Sequence, residues 1–197
     1  MQATSIHLLF RQIGEGQKNA FNQLFYRYYE QMVRFALQYV KQPEPAEELV
    51  SSVFVNIWQK RSRLNEVRAP EVYLFVSVKN ASLNYLRQSA KLRTSFHVPE
   101  LPGERIGSTA DTEYRELETI VHAAVERLPA QRQLIFKLIR EEGLKAREVA
   151  AILSVSVRTV ENQLYKAVKS LADAISDYLG YHPKEQRVTG KTLLLFF

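Results

Sequence analysis

Polar and basic side chains recur at helical spacing near the carboxyl end of the chain, and their chemistry suits the edges of DNA bases. Arg158, Asn162, Tyr165 and Lys169 follow one another at i, i+4, i+7 and i+11, which places them on one face of a helix. Arginine pairs with guanine, asparagine with adenine, and lysine holds phosphate. This face predicts a helix that enters the major groove. Its candidate contacts are Arg158, Thr159, Glu161, Asn162, Tyr165, Lys166 and Lys169.

The apolar residues around this face predict a helix-turn-helix. Apolar side chains of a short helix over 146–153 can meet those of a longer helix, to about residue 177, that follows a break at 154–156. Ser156 has the side chain of a helix N-cap. Any short helix, turn and long helix with a solvated polar face would give the same pattern. The pattern therefore favours DNA binding and leaves that simpler interpretation open.

A second polar stripe lies on a helix predicted over residues 71–88. It combines amides, a hydroxyl and positive charge on an otherwise apolar surface, and a basic loop precedes it. Such groups with aromatic rings nearby suit single-stranded nucleic acid, whose unpaired bases stack on rings. The same rings suit a core, which we consider the more frequent role, and the stripe equally suits a solvated face. The stripe consists of Ser77, Asn80, Asn84, Arg87, Gln88 and Lys91, the loop cations are Arg61, Arg63 and Arg68, and the rings are Trp58, Tyr73, Phe75 and Tyr85.

The composition of the 197 residues excludes several classes of protein. With no cysteine, the chain has no disulfide framework, no thiolate zinc site and no cysteine nucleophile. A net charge of +6 attracts polyanions without naming one. No apolar run approaches the roughly 20 residues of a membrane span, and the first residues do not resemble a signal peptide. We therefore expect a cytoplasmic protein without membrane insertion.

Helical periodicity runs through two blocks of the chain, and no alternating strand pattern is visible. We predict an all-α fold of two small helical domains joined by a flexible linker, the second containing the helix-turn-helix. Pro45 is expected to open the third helix, and Gly143 to cap the helix that ends near residue 139. The predicted bounds are 1–92 for the first domain, 93–113 for the linker, 114–180 for the second domain and 181–197 for a tail of unknown role.

Two blocks of sequence resemble a known family. The run AEELVSSVFVNIW at 46–58, followed by YLFVSVKNASLNYLR at 73–87, resembles region two of the extracytoplasmic-function sigma factors. The stretch from RLP at 127–129 to residue 171 looks like their region four. The likeness covers roughly residues 5–92 and 113–177. It implies a dissociable specificity subunit of bacterial RNA polymerase, which directs the enzyme to promoters and is held in check by an anti-sigma factor.

The resemblance also implies roles for particular residues. The loop 61–68 is similar to the one that captures a flipped base at the minus-ten element, and the candidate recognition helix matches the one that reads the minus-thirty-five duplex. Ser51 and Ser52 depart from the Gln-Glu of many relatives. The residues that match the helix along the minus-ten element are Lys79, Asn80, Asn84 and Arg87. The residues that match the helix that docks on the polymerase clamp are Glu47, Glu48, Asn56 and Gln59.

Three other classes of function remain to be weighed, and one of them, a purely helical interaction protein, is disfavoured by the basic helix-turn-helix. A conventional helix-turn-helix regulator would use its first block to dimerise or to sense a signal, and would bind duplex DNA without polymerase. An enzyme has little support, because the phosphate-loop ending at 189–192 has Glu185 where the first glycine belongs. His7, His97, His122 and His182 lack ligand spacing, so we expect neither a cofactor nor catalytic residues.

Overall fold

The computed structural model describes residues 5–95 and 112–178, and every regular element in those ranges is a helix. The chain divides into two units, residues 1–105 and 106–197. The predicted all-α fold of two helical domains is confirmed. Most of the predicted linker and the whole predicted tail lie outside the described residues. The helices are α1 (Ile6–Gly14), α2 (Lys18–Val40), α3 (Pro43–Gln59), a 3-10 helix (Arg61–Glu66), α4 (Pro70–Ser95), α5 (Thr112–Glu126), α6 (Ala130–Arg140), α7 (Ala146–Leu153) and α8 (Val157–Tyr178).

Helix α4 lies against α1, α2 and α3 in the first unit, because apolar side chains occupy most of its circumference. Leu74, Phe75 and Val78 have no exposed surface. The Phe75 ring meets Phe35 of α2 at 4.9 Å between centroids. Edge-to-face ring pairs of this kind stabilise by about 0.5–1.5 kcal/mol beyond the area they bury. The rotation of α4 about its own axis is therefore fixed by the core.

Aromatic rings also join α2 to α3. The ring centroid of Phe25 of α2 lies 5.1 Å from that of Phe54 of α3, and the ring centroids of Phe21 and Trp58 are 5.3 Å apart. Phe54 is 1% exposed, whereas Trp58 is only half-buried at the edge of this seam. The seam sets the position of the end of α3, from which the 3-10 helix departs.

Three helix boundaries differ from the sequence prediction. Helix α3 begins at Pro43 rather than Pro45. Both prolines are compatible with the first turn, because the first intrahelical N–H is that of Ala46, which donates to the Gln42 carbonyl. The stretch after residue 60, which lacks apolar periodicity, forms the 3-10 helix. Helix α4 continues to Ser95, since no glycine or proline lies between Gln88 and Ser95 to end it.

The helix-turn-helix of the second unit is present as predicted, with α7 ending at Leu153 and α8 beginning at Val157. Ser154 closes α7 in the left-handed conformation, with φ at +60°. Gly143 also has a positive φ, +70°, but it lies beyond the C-cap residue Glu141 rather than at the end of α6. It turns the chain into α7. A buried cluster of Val125, Leu128, Phe136, Ala167 and Leu171 joins α5 and α6 to α8.

Ser156 is the N-cap of α8, as predicted, since its Oγ accepts a hydrogen bond from the Thr159 N–H at 3.0 Å. We expect Ser156→Ala to lower the free energy of unfolding by about 1 kcal/mol, because a donor of the first turn loses its partner. Urea unfolding followed by circular dichroism measures the change. Ser170→Ala is the matched control, because the Ser170 hydroxyl only donates to the Lys166 carbonyl within the same helix. Equal losses in both variants would contradict the capping role.

An ion pair joins α5 to α6, with Lys137 Nζ 2.9 Å from Glu126 Oε1. The hydrogen bond from Lys137 holds the pKa of Glu126 below its ordinary value. A carboxyl with a lowered folded-state pKa stabilises the fold above its unfolded pKa, and that stability is lost as the pH falls through the folded-state pKa. The pair is partly exposed, so we expect an effect below about 1 kcal/mol. Glu126→Gln should remove this contribution to the pH dependence of the free energy of unfolding, measured between neutral and acidic pH. An unchanged slope of that free energy against pH would refute the role of the ion pair.

Candidate nucleic-acid interfaces

The exposed face of α8 carries the predicted duplex-reading residues. Six of the seven are exposed, Tyr165 to 65% of its surface, and Thr159 is half-buried beside the N-cap. The opposite side of the helix is closed, since Val160 and Ala167 have no exposed surface. The structure thus brings the predicted set together on one solvent-facing surface. The six exposed members are Arg158, Glu161, Asn162, Tyr165, Lys166 and Lys169.

A hydrogen bond from α6 supports this face. Arg132 Nε donates to Gln163 Oε1 at 3.2 Å, and both side chains are half-buried. Helix α7 packs on α8 from another side. Neither Arg132 nor Gln163 was singled out from the sequence, because the contact joins residues of two helices that no periodic pattern relates. Together these contacts hold α8 along its flank.

The three loop arginines have different surroundings in the structure. The Arg61 guanidinium lies over the Trp58 ring at 4.8 Å from its centroid, and its Nη1 donates to the Trp58 carbonyl at 3.1 Å. Arg63 and Arg68 are exposed. Cation–π pairs of this kind contribute about 0.5–2 kcal/mol. Arg61 is therefore a positioned side chain, whereas the other two are solvent-facing cations.

Helix α1 packs against the 3-10 helix. Leu64 is 2% exposed and anchors the turn in the core. The Asn65 side chain lies directly over Gly14, where an added Cβ would stand 2.8 Å from Asn65 Oδ1. A side chain at position 14 would therefore require the exposed Asn65 side chain to shift.

Most of the polar stripe of α4 is solvent-exposed. Asn80, Asn84, Arg87 and Gln88 are exposed and Ser77 is half-buried, whereas the Lys91 side chain lies outside the described part of the structure. Lys79, which the resemblance groups with them, is half-buried. Arg87 Nη1 donates to Asn84 Oδ1 at 3.0 Å, so a cation and an amide form one unit at the surface. Of the four candidate rings, Phe75 is a core residue, and the remaining three are half-buried: Trp58, Tyr73 and Tyr85.

The predicted polymerase-binding residues Glu47, Glu48, Asn56 and Gln59 are all exposed on α3. Asn56 Nδ2 donates to the Ser52 carbonyl at 2.9 Å, so that amide is engaged with its own helix. Val55 between them is 53% exposed. Glu48 also lines a groove with Asn84 of α4. The structure therefore joins two residues that the sequence assigned to different ligands.

Two tyrosines of the first unit are partly or wholly removed from solvent: Tyr28 is buried and Tyr39 is half-buried. Burial raises the pKa of Tyr39 to about 12, and burial together with the charge of Glu71 raises the pKa of Tyr28. Both phenols therefore stay protonated at neutral pH.

Among the residues that the structure describes, no cluster of three or more ligating side chains could hold a metal ion. Within the same residues, no helix is both long enough and apolar enough to cross a membrane.

Models of two protein families match the chain, each over one of its units. Sigma-70 region 2 matches residues 24–92, and Sigma-70, region 4 matches residues 118–171. The first match contains α3, the 3-10 helix and most of α4, and the second contains the helix-turn-helix. The presence of both regions, in this order, favours a sigma factor over a conventional helix-turn-helix regulator.

Curated relatives match most of the chain. The ECF RNA polymerase sigma-E factor of Escherichia coli (strain K12) is 22% identical over 178 residues, which cover 85% of this chain and 93% of the relative. The RNA polymerase sigma factor SigV of Bacillus subtilis (strain 168) is 27% identical over 139 residues, covering 69% of this chain and 79% of the relative.

Two solved structures share the fold. CnrH, in complex with the cytosolic domain of CnrY, has a TM-score of 0.55 at 20% identity and covers 87% of this chain and 97% of its own. RpoE of Bartonella quintana, crystallised with the anti-sigma factor NepR, has a TM-score of 0.59 at 17% identity and covers 79% and 96%. With both sigma-70 regions on their expected helices, the chain belongs to the extracytoplasmic-function group of the sigma-70 family, the sigma factors that direct RNA polymerase to promoters.

Proposed function

We propose that this sigma factor divides promoter recognition between its two units. The second unit reads the minus-thirty-five duplex through α8, and the first unit holds the melted minus-ten strand along α4. The observation that carries the proposal is the exposed face of α8, where six of the seven predicted contacts are solvent-facing around a capped helix start. The corresponding domain bounds are 1–92 and 114–180, joined by a linker over 93–113.

At the minus-thirty-five element, the chemistry of α8 supports both base and phosphate contacts. Arg158 and Asn162 can form paired hydrogen bonds with guanine and adenine edges, and Glu161 can accept from cytosine. Lys166 and Lys169 hold phosphates, which fix the register of the helix in the groove. The first turns of a recognition helix make the base contacts in this motif.

At the minus-ten element, the first unit has to favour separated strands without nucleotide hydrolysis. Stacking a base on an aromatic ring contributes about 1–3 kcal/mol, and extruding a base from the duplex costs a few kcal/mol. The two terms nearly cancel, so phosphate contacts and the polymerase decide the outcome. Arg61, Arg63 and Arg68 of the loop supply the cations near a captured base, and Lys79, Asn80, Asn84 and Arg87 lie along the strand.

The proposal also includes the partners and the compartment. Glu47, Glu48, Asn56 and Gln59 of α3 contact the polymerase clamp. An anti-sigma factor is a further partner, supported by the likeness to an RpoE solved with an anti-sigma factor. The chain acts in the cytoplasm, where polymerase and promoter DNA are found. It works as a binding subunit, with no catalytic residue and no cofactor of its own.

Substitutions on α8 separate base reading from phosphate binding. We expect Asn162→Ala to cost about 1–3 kcal/mol on the preferred promoter and to relax one upstream base position. Lys166→Ala should weaken binding to all sequences alike and reduce the salt dependence by about one counterion. Dissociation constants of the reconstituted holoenzyme on a set of upstream-element variants, at several salt concentrations, measure both effects. Both residues are exposed on the same helix, so each variant controls for the other. Uniform losses in both variants would refute the assignment.

Transcription in vitro tests the proposed function as a whole. The full chain is mixed with bacterial core polymerase and a pool of promoters, and the transcript starts are sequenced. We expect start sites that core polymerase alone does not select. Gel shifts with and without core polymerase exclude the regulator hypothesis if specific promoter binding needs the enzyme. Specific duplex binding by the chain alone, with no selection of starts, would overturn the proposal.

A further inference from the structure

We propose that an aromatic face formed by α2 and α3 binds a second copy of this chain, so that two copies form a reversible dimer. Five partly exposed rings along the seam between the two helices make up this face, together with one exposed valine. Tyr26 is 82% exposed and Val55 is 53% exposed, although both are large apolar side chains. The residues of the aromatic face are Phe21, Phe25, Tyr26, Tyr29, Val55 and Trp58.

The rings contact one another, so the face is continuous. The ring centroid of Phe25 lies 4.7 Å from that of Tyr29 and 6.0 Å from that of Tyr26. Phe21 meets Trp58 across the seam. Single exposed apolar residues are ordinary on a protein surface, whereas a contiguous patch marks an interaction site. Tyrosine and tryptophan lose little conformational freedom on binding, which suits them to the centre of a protein interface.

Opposite charges stand at the two ends of the aromatic face. Lys18 lies seven residues before Phe25 on the same side of α2, and Glu30 follows Tyr26 by four residues. Both charged side chains are exposed. About 18 Å of helix separates them. The face is therefore cationic where α2 begins and anionic roughly three turns later.

Two copies related by a two-fold axis satisfy both charges at once. Every contact in such an interface occurs twice, because both copies use the same patch. With the axis perpendicular to α2, the two α2 helices run antiparallel, and Lys18 of each copy faces Glu30 of the other. With the axis parallel to α2, like charges would face each other, so the charges select the antiparallel arrangement. An unrelated partner would need a matching pattern of its own, whereas a second copy necessarily provides one.

The size of the face predicts a weak dimer. Two helices side by side, each about 10 Å across, give a footprint of roughly 360 Å² per copy over about 18 Å of length. Stable interfaces bury roughly 800 Å² per partner. We therefore expect monomer and dimer to exchange, with a dissociation constant in the micromolar range.

The dimer also has a consequence for polymerase, and this part of the inference rests on the proposed function. Val55 and Trp58 of the aromatic face lie next to Asn56 and Gln59 in the sequence of α3, and those two residues are proposed to contact the clamp. A second copy on the aromatic face would cover this part of α3. Dimer and holoenzyme therefore compete for α3, and core polymerase should convert the dimer into a one-to-one complex.

Sedimentation velocity of the full chain across micromolar concentrations tests the dimer. We expect the sedimentation coefficient to rise with concentration from that of a monomer to that of a dimer. Tyr26→Ser should weaken the dimer by roughly tenfold or more, as for an aromatic residue at the centre of an interface. Tyr165→Ser is the matched control, because Tyr165 is 65% exposed on α8 of the other unit. A chain that stays monomeric at every concentration, or equal effects of the two variants, overturns the proposal.

Charge reversal tests the antiparallel arrangement. Lys18→Glu and Glu30→Lys each place like charges across the two-fold axis, so each variant alone should dimerise about tenfold more weakly. An equimolar mixture of the two variants should form a heterodimer, because each chain then offers the charge that the other lacks. Circular dichroism checks that both variants fold. A mixture of folded variants that stays monomeric overturns the arrangement, and if either variant does not fold, the comparison of Tyr26→Ser with its control decides.

The remaining outcomes separate the dimer from the proposed function. A monomeric chain that still directs core polymerase to promoters overturns the dimer and leaves the proposed function standing. Weaker binding of core polymerase by Tyr26→Ser, in a chain that never dimerises, would make the face a polymerase contact and also overturn the dimer. A dimer that core polymerase does not dissociate overturns the competition for α3. A chain that dimerises as expected but selects no promoter refutes the proposed function and leaves the dimer standing.

Discussion

The rotation of α4 is the constraint on which the first unit depends. Leu74, Phe75 and Val78 are wholly buried, and Phe75 is held by the Phe35 ring of α2. A turn of the helix about its axis would expose these side chains, each of which contributes about 1.5–3 kcal/mol through burial. Core packing therefore decides that Asn80, Asn84 and Arg87 face solvent. The positions of the candidate strand contacts follow from apolar residues that touch no ligand.

Burial of apolar side chains also fixes the orientation of α8, with help from a helix cap and a side-chain hydrogen bond. Val160, Ala167 and Leu171 turn its buried side toward α5, α6 and α7. A capped first turn fixes where the helix begins, and the Arg132 hydrogen bond to Gln163 holds its flank. The two candidate interfaces are thus surfaces left over after the cores are formed. Both mix cations with other polar side chains: three of the seven candidate contacts on α8 are cations, and five of the seven in the first unit are.

Local sequence signals predicted the elements better than the contacts between them. The bounds of α7 and of the turn after it follow from an apolar stripe interrupted by Ser154 and Ser156, and the structure has them at the same residues. The 3-10 helix was missed because its tighter hydrogen bonding leaves no 3.6-residue apolar repeat. The end of α4 was missed because polar residues can continue a helix when nothing breaks it.

Contacts between distant residues left no trace in the sequence. Glu48 and Asn84 were assigned to different ligands from their own helices, and only the packing of α3 on α4 brings them to one groove. The close approach of Asn65 to Gly14 is of the same kind. Each depends on how two helices meet, which periodicity within either helix does not encode.

The two proposed interfaces bind different states of the DNA, duplex in one and separated strand in the other, and this difference implies an order of events on the promoter. Attraction to phosphate acts at long range and on any sequence, so the cations of α8 can bind duplex DNA before any base is read. Amides act only at hydrogen-bond distance, and a base becomes available to them only after it leaves the stack. The base contacts proposed for the first unit are therefore gained only from separated strands. Contact with the upstream duplex can therefore come first, and it raises the local concentration of the minus-ten strand at the first unit.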